Sequence, residues 1–134
     1  MNEQVRRRAF LHGLAGAGTI AAGMAPAQST RRNPSDILGV ASIGVGTQGY
    51  RLLTYAQAVP NTEIRVICDL YEGNVQRARK LCTNPKVRVE RDWEKAVSDP
   101  DIDVVLIAAP DFSHAPMTVR AALEKKGIYV EKGW

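Results

Sequence analysis

The sequence predicts an α/β fold: a doubly wound parallel sheet of about five strands with helices on both faces. Three observations carry this expectation. Short apolar runs alternate with helical stretches through residues 36–134, in the order βαβαβαβαβ. Glycines at Gly44, Gly46 and Gly49 stand where the first apolar run meets the first helical stretch. Residues 103–109 hold an unbroken apolar run, Val104-Val105-Leu106-Ile107-Ala108, as a strand buried on both faces requires. The alternation argues for strand order 3-2-1-4-5.

The elements follow in turn. Residues 37–43 read as the first strand, and a helix begins near Thr47 and runs to about Ala58. Pro60-Asn61 breaks the chain before a second strand over residues 63–68. Residues 71–82 read as a second helix with Val75, Ala78 and Cys82 on one face; Asn84-Pro85 ends it. Gly73 weakens its first turn by about 1 kcal/mol relative to alanine. Residues 86–90 form a short strand, with Val87 and Val89 on one face. Asp92 has the character of an N-cap for a short helix that buries Trp93, Ala96 and Val97. Asp99-Pro100-Asp101 is a turn before the fourth strand, residues 103–109, which Pro110 stops. Pro116 fits the first turn of a helix reaching Lys126, with Gly127 as its C′ residue. Residues 128–131 are the fifth strand.

The glycine spacing G-x-G-x-x-G is weak alone but sits between a strand and a helix, with Asp69 ending the second strand 20 residues after Gly49. That is the pattern of a Rossmann-like dinucleotide-binding βαβ unit. Gly44 takes the backbone angles of the tight turn, Gly46 lets the backbone approach a pyrophosphate, and Gly49 lets helix and strand pack closely. The free N–H groups of the first turn, at Thr47, Gln48 and Gly49, then meet the phosphates together with the positive end of the helix dipole. Asp69 would accept hydrogen bonds from the adenosine ribose and repel a 2′-phosphate. NAD is therefore expected in preference to NADP.

The formal charge is +4, of which residues 1–27 hold +2. No basic stripe with interleaved aromatics exists, so nucleic acid is not an expected partner. Cys68 and Cys82 lack metal-ligand spacing and read as small, buried or half-buried hydrophobes; no metal site is expected.

Residues 1–27 are read apart from the fold. Arg7-Arg8-Ala9-Phe10-Leu11 matches the core of a twin-arginine export signal, although Arg6 and His12 replace the residues usual on either side. A mild Gly/Ala-rich run from Gly13 to Ala25 follows, too short and too weakly apolar for a stable membrane span. Ala25-Pro26-Ala27 supplies an A-x-A cleavage site before Gln28. Residues 28–35 read as a polar linker and residues 36–134 as the NAD-binding domain. The export machinery is thus an expected partner, and the expected location is the periplasm or cell envelope. Twin-arginine export carries folded proteins, so a cofactor would travel out with the chain.

In a doubly wound sheet, ligands bind beyond the carboxyl ends of the strands at the topological switch point. The glycine loop, Asp69, residues 109–114 and Glu131-Lys132 all fall there. Gly44-x-Gly46-x-x-Gly49, Ala109-Pro110-Asp111-Phe112-Ser113-His114-Ala115-Pro116-Met117 and Glu131-Lys132 together resemble the glucose–fructose oxidoreductase/inositol dehydrogenase/rhizopine-catabolism family over residues 36–132. The resemblance implies that Ala109 and Pro110 line the cofactor near the nicotinamide ribose and that His114 positions that loop. Glu131 falls in the same motif, and Lys132 resembles its lysine, close to nicotinamide and substrate, where an ammonium polarises a hydroxyl or carbonyl or assists proton transfer. Two bland readings stay open: His114 as a cap of the following helix and Lys132 as a solvated charge. Trp93 and Tyr129 read as packing residues.

The family has proline after Glu-Lys, whereas Gly133-Trp134 stands here. The resemblance further implies a second α/β domain with the substrate pocket and the usual proton-transfer residues, and homo-oligomers among full-length relatives. None of that domain lies within the 134 residues, so the chain reads as truncated, or shifted in reading frame, near residue 133, with apolar surface left open. The expected function is the nucleotide-binding portion of an exported oxidoreductase acting on a sugar or cyclitol by hydride transfer. The alternatives are an NAD-dependent glycoside hydrolase of the same superfamily and an inactive nucleotide-binding fragment.

Overall fold

The computed structural model describes residues 37–132. The expected export signal and linker, Asp36 and Gly133-Trp134 lie outside the described residues. Five strands and four helices alternate: β1 (Leu38–Ile43), α1 (Thr47–Ala58), β2 (Thr62–Cys68), α2 (Glu72–Leu81), β3 (Arg88–Glu90), α3 (Trp93–Ser98), β4 (Val104–Ile107), α4 (His114–Leu123) and β5 (Gly127–Val130). A single 3₁₀ turn, Asp111–Ser113, leads into α4. All strand pairs are parallel, in the order β3-β2-β1-β4-β5. This is the doubly wound sheet the alternation predicts.

Successive residues of the central strand supply two cores. Ala41 and Ile43 join Val66, Val105, Ile107, Val97, Met117 and Ala121 beneath α3 and α4. Val40 joins Leu53, Ile64, Ile67, Val75 and Ala78 beneath α1 and α2. Side chains alternate across a strand, so a sheet buried on both faces needs an apolar residue at nearly every position. That requirement explains the run in β1 and β4.

The helix boundaries agree with the sequence reading at α1 and differ at the end of α4. That helix stops at Leu123, and Gly127 opens β5 instead of serving as C′. The C′ position belongs to Lys125, which has φ 56°. Its N–H donates to the Ala122 carbonyl at 3.0 Å, and the Lys126 N–H donates to the Ala121 carbonyl at 3.0 Å. These are the two bonds of a Schellman motif, and they hold a lysine in a conformation that usually falls to glycine. Lys126 then anchors the corner through Nζ, which donates to the carbonyls of Asp99 and Ile102. At α3 the expected cap is present: Asp92 accepts the Glu94 N–H at 3.0 Å.

The two edges of the sheet differ. Arg88 on β3 is paired with Asp99 at 2.7 Å. On β5, Ile128, Tyr129 and Val130 are each exposed, by 37, 48 and 40%. Among the described residues, apolar side chains are thus exposed along the β5 edge. No helix among the described residues is long and apolar enough to cross a membrane.

Candidate functional site

The three glycines do different work. Gly44 has φ 77°, and a Cβ there would lie 2.6 Å from the Ala108 carbonyl oxygen. A Cβ on Gly49 would stand 1.8 Å from the Gly44 carbonyl oxygen, so α1 could not approach β1. Gly46 is the N-cap of α1 in ordinary extended geometry, φ −64° and ψ −156°. A Cβ on it would meet only Asn74 Nδ2, at 3.7 Å. The fold itself therefore needs Gly44 and Gly49, while the bare backbone at Gly46 leaves space above the helix end. No side chain caps that end, and the first-turn N–H groups of a helix have no partner within it. An uncapped N-terminus behind a glycine cradle fits a pyrophosphate.

Asp69 stands beside this cradle. Its Oδ2 accepts the Val45 N–H at 2.8 Å and the Asn74 side-chain amide at 3.2 Å. Its Oδ1 accepts the Tyr71 N–H at 2.8 Å. The carboxylate thus ties the glycine loop to the start of α2, a bracing contact that the sequence reading did not contain.

The end of β4 supplies the next wall. Ala108 donates its N–H to Ile43, and His114 Nε2 lies 2.6 Å from the Ala109 carbonyl oxygen. His114 is the first residue of α4, so its ring reaches back to hold the loop that contains Pro110. The ring's partner is the loop carbonyl of Ala109, outside α4. At the end of β5, Glu131 donates its N–H to Ile107 at 2.9 Å. Glu131 Oε1 accepts from Gln48 Nε2 at 3.1 Å and from the Tyr129 hydroxyl at 3.3 Å. Tyr129 is half exposed: its ring borders Leu52 and Tyr55 of α1, and its hydroxyl donates to Glu131. Lys132 follows directly, exposed at the same end of the sheet.

The glycine loop, Asp69, the β4 loop and Glu131-Lys132 therefore gather along the carboxyl ends of four neighbouring strands. Between β2 and the β4 loop lies a cavity of about 400 Å³, walled in part by Gly44, Asp69, Leu70, Arg91, Trp93 and Pro110. Arg91, Leu70 and Asn74 were not singled out from sequence. The signal for Arg91 was its place just past the end of β3, by the same rule that singled out Asp69. Arg91 donates to the Leu70 carbonyl at 2.8 Å and pairs with Glu72, closing the outer side of the cavity. Trp93 packs on the core and also lines the cavity.

Cys68 borders the same cavity. Burial, reinforced by the nearby carboxylates of Asp69, Glu90 and Asp92, pushes its thiol up to about 12. Burial raises Cys82 to about 11. Both remain protonated thiols near neutral pH, which removes them as nucleophiles.

Residues 38–132 match the GFO_IDH_MocA family, described as an oxidoreductase family with an NAD-binding Rossmann fold. The chain belongs to this family. A glycosyl hydrolase family 109 protein of Parabacteroides distasonis is 29% identical over 136 residues, 86% of this chain and 29% of that protein. An α-N-acetylgalactosaminidase of Bacteroides fragilis is 28% identical over 104 residues, 73% of this chain and 24% of that protein. This GFO_IDH_MocA chain thus spans less than a third of the length of these curated relatives. Among solved structures, a levoglucosan dehydrogenase in complex with NADH and levoglucosan is 29% identical, with a TM-score of 0.64 over 72% of this chain and 28% of that one. GenD2 from gentamicin A biosynthesis, in complex with NAD, is 26% identical, with a TM-score of 0.63 over 75% of this chain and 28% of that one. Myo-inositol dehydrogenase from Lactobacillus casei, at 23% identity and a TM-score of 0.64 over 72% of this chain and 28% of that one, shares the fold. The described domain is an NAD-binding GFO_IDH_MocA domain whose structural neighbours include dehydrogenases.

Proposed function

We propose that this chain is the nucleotide-binding portion of an exported oxidoreductase that uses NAD to oxidise or reduce a sugar or cyclitol. The observation that carries the reading is Gly46: it has no packing reason to be glycine, and the uncapped start of α1 lies directly behind it. Thr47, Gln48 and Gly49 would hold the pyrophosphate through their N–H groups. The Asp69 carboxylate favours NAD, because a 2′-phosphate beside it would meet like charge. Ala109, Pro110 and Glu131 would border the nicotinamide half, with His114 fixing the Ala109 carbonyl.

Bound NAD supplies the hydride acceptor. Lys132, at the same end of the sheet, would carry its ammonium to the substrate oxygen and stabilise or move the proton there. The twin-arginine motif supports export of the folded, cofactor-loaded chain to the periplasm or cell envelope. Outside the cytoplasm, such a cofactor is best regenerated within each cycle.

That argument, with the family 109 relatives and the α-N-acetylgalactosaminidase, favours a second reading: a glycosidase that returns NAD to its starting state. Products separate the two. A dehydrogenase yields a ketone or lactone with reduced cofactor; a glycosidase yields free sugar with no net redox change. Calorimetric titration with NAD tests both, since each requires 1:1 binding, and a flat titration sinks them together.

A further inference from the structure

Glu131 is held more firmly than an exposed strand end requires. Its backbone N–H is tied to Ile107 at 2.9 Å. Its Oε1 accepts two bonds, from Gln48 Nε2 at 3.1 Å and from the Tyr129 hydroxyl at 3.3 Å. Tyr129 and Glu131 are two apart on one strand and share a face, as the period of a strand dictates. That is the face of α1, because the Tyr129 ring also borders an apolar cavity of about 350 Å³ with Leu52 and Tyr55 of that helix. Gln48 comes from the first turn of the same helix, 83 positions earlier in the chain. Two donors from two elements thus converge on one carboxylate oxygen. Both bonds fall on Oε1, one of the two carboxylate oxygens.

The place of this triad is informative. The phosphate cradle is the N-terminus of α1, with Asp69 on one side of it and Glu131 on the other. A dinucleotide whose pyrophosphate lies at the cradle, with its adenosine directed to Asp69, sends its other half towards Glu131 and Lys132. Resting on that reading of the site, we propose that Gln48 and Tyr129 are positioning residues. They occupy Oε1 so that Oε2 of Glu131 accepts a hydroxyl of the nicotinamide half. Gln48 then has two separate tasks: its backbone N–H serves the phosphates and its side chain sets Glu131. A carboxylate with one oxygen already bonded has fewer orientations to lose when a ligand hydroxyl arrives, which is the general advantage of preorganisation.

The test separates the two halves of the ligand. NAD and ADP are titrated calorimetrically into the whole chain and into Gln48→Leu and Tyr129→Phe, with circular dichroism to verify the fold. Both residues are exposed, so both variants are expected to fold. In the parent, NAD and ADP both bind. Gln48→Leu is expected to weaken NAD about tenfold, equivalent to the loss of one good polar contact, while ADP stays within about twofold because the backbone cradle is intact. Tyr129→Phe is expected to act in the same direction and less. Unchanged NAD binding in both variants overturns the positioning role, and so does an equal loss for ADP, which would assign Gln48 to the phosphates alone. A parent that binds neither ligand brings down the nucleotide-site reading, a failure distinct from that of the triad.

Discussion

The Asp69 carboxylate accepts the Val45 N–H at 2.8 Å, a contact between residues 24 positions apart. Val45 is fully buried, so without Asp69 its N–H would have no solvent to turn to. The acidic residue expected to read the ribose is therefore also a structural brace of the glycine loop, with Tyr71 held through its other oxygen. Asp69→Ala leaves both donors without that acceptor, at a cost of about 1–3 kcal/mol for the buried one. In a domain of this size, each kcal/mol lowers Tm by roughly 4–8 °C. A thermal melt of the cofactor-free variant checks this, and an unchanged Tm would remove the brace. Discrimination against NADP should relax in the same variant, measured separately by titration.

Gly46 and Gly49 should respond oppositely to the same substitution. Gly49→Ala drives a Cβ to 1.8 Å from the Gly44 carbonyl oxygen, and the variant is expected to lose its cooperative melt. Gly46→Ala meets only Asn74 Nδ2 at 3.7 Å, so stability should stay within about 0.5 kcal/mol. Its methyl group intrudes where the pyrophosphate approaches, and NAD affinity should fall at least about tenfold, or 1.4 kcal/mol. Parallel melts and titrations read both effects. A Gly46→Ala protein that keeps its affinity would mean that the ligand does not approach there.

Lys125 offers a stabilising change. At φ 56° it occupies the left-handed region, which costs a residue bearing a Cβ about 1–2 kcal/mol. Glycine escapes that cost but loses more chain entropy on folding. Lys125→Gly is expected to gain about 0.5–1 kcal/mol net, visible as an upward shift of the urea midpoint with unchanged slope. A lower midpoint would mean that the lysine contributes contacts worth more than the strain.

The Cys68 thiol links stability to alkaline pH. Its folded pKa, about 12, lies above the ordinary 9.0. A raised value means that the native state keeps its proton longer than the unfolded chain does. The contribution is fully present below pH 9 and is lost as pH rises towards 12. The slope is at most about 1.4 kcal/mol per pH unit for one proton. Denaturant melts between pH 8 and 11 should show a shallower decline in Cys68→Ala than in the parent. Identical slopes would contradict the burial of that thiol.

Most of the fold was legible because its signals are local. β1 and β4 declare double burial in consecutive apolar residues, α1 is bracketed by Gly46 and Pro60, and Asp92 caps α3 as its position promises. The end of α4 was misread because glycine is the usual left-handed residue, and Gly127 stood nearby. What holds Lys125 in that conformation is the pair of hydrogen bonds to Ala121 and Ala122, which leaves no mark on residue type. The site divides in the same way. Gly44, Gly46, Gly49 and Asp69 follow a spacing that can be counted. Asp69 to Val45, Gln48 to Glu131 and Arg91 to Leu70 join distant positions through side chains, and no periodicity announces such contacts. Tyr129 reads as packing because its ring is largely apolar; its hydroxyl partner, Glu131, is only two residues away, and what brings both beside α1 is the distant bond from Gln48.

The central claim is that the start of α1 holds the pyrophosphate of NAD. Amide NMR of the ¹⁵N-labelled chain during NAD titration tests it most directly. The account predicts saturable shifts concentrated at the Gly46, Thr47, Gln48 and Gly49 amides, with smaller ones near Asp69, and weaker effects at equal concentrations of NADP. Saturable binding that leaves those four amides unmoved, or no binding at all, would contradict it.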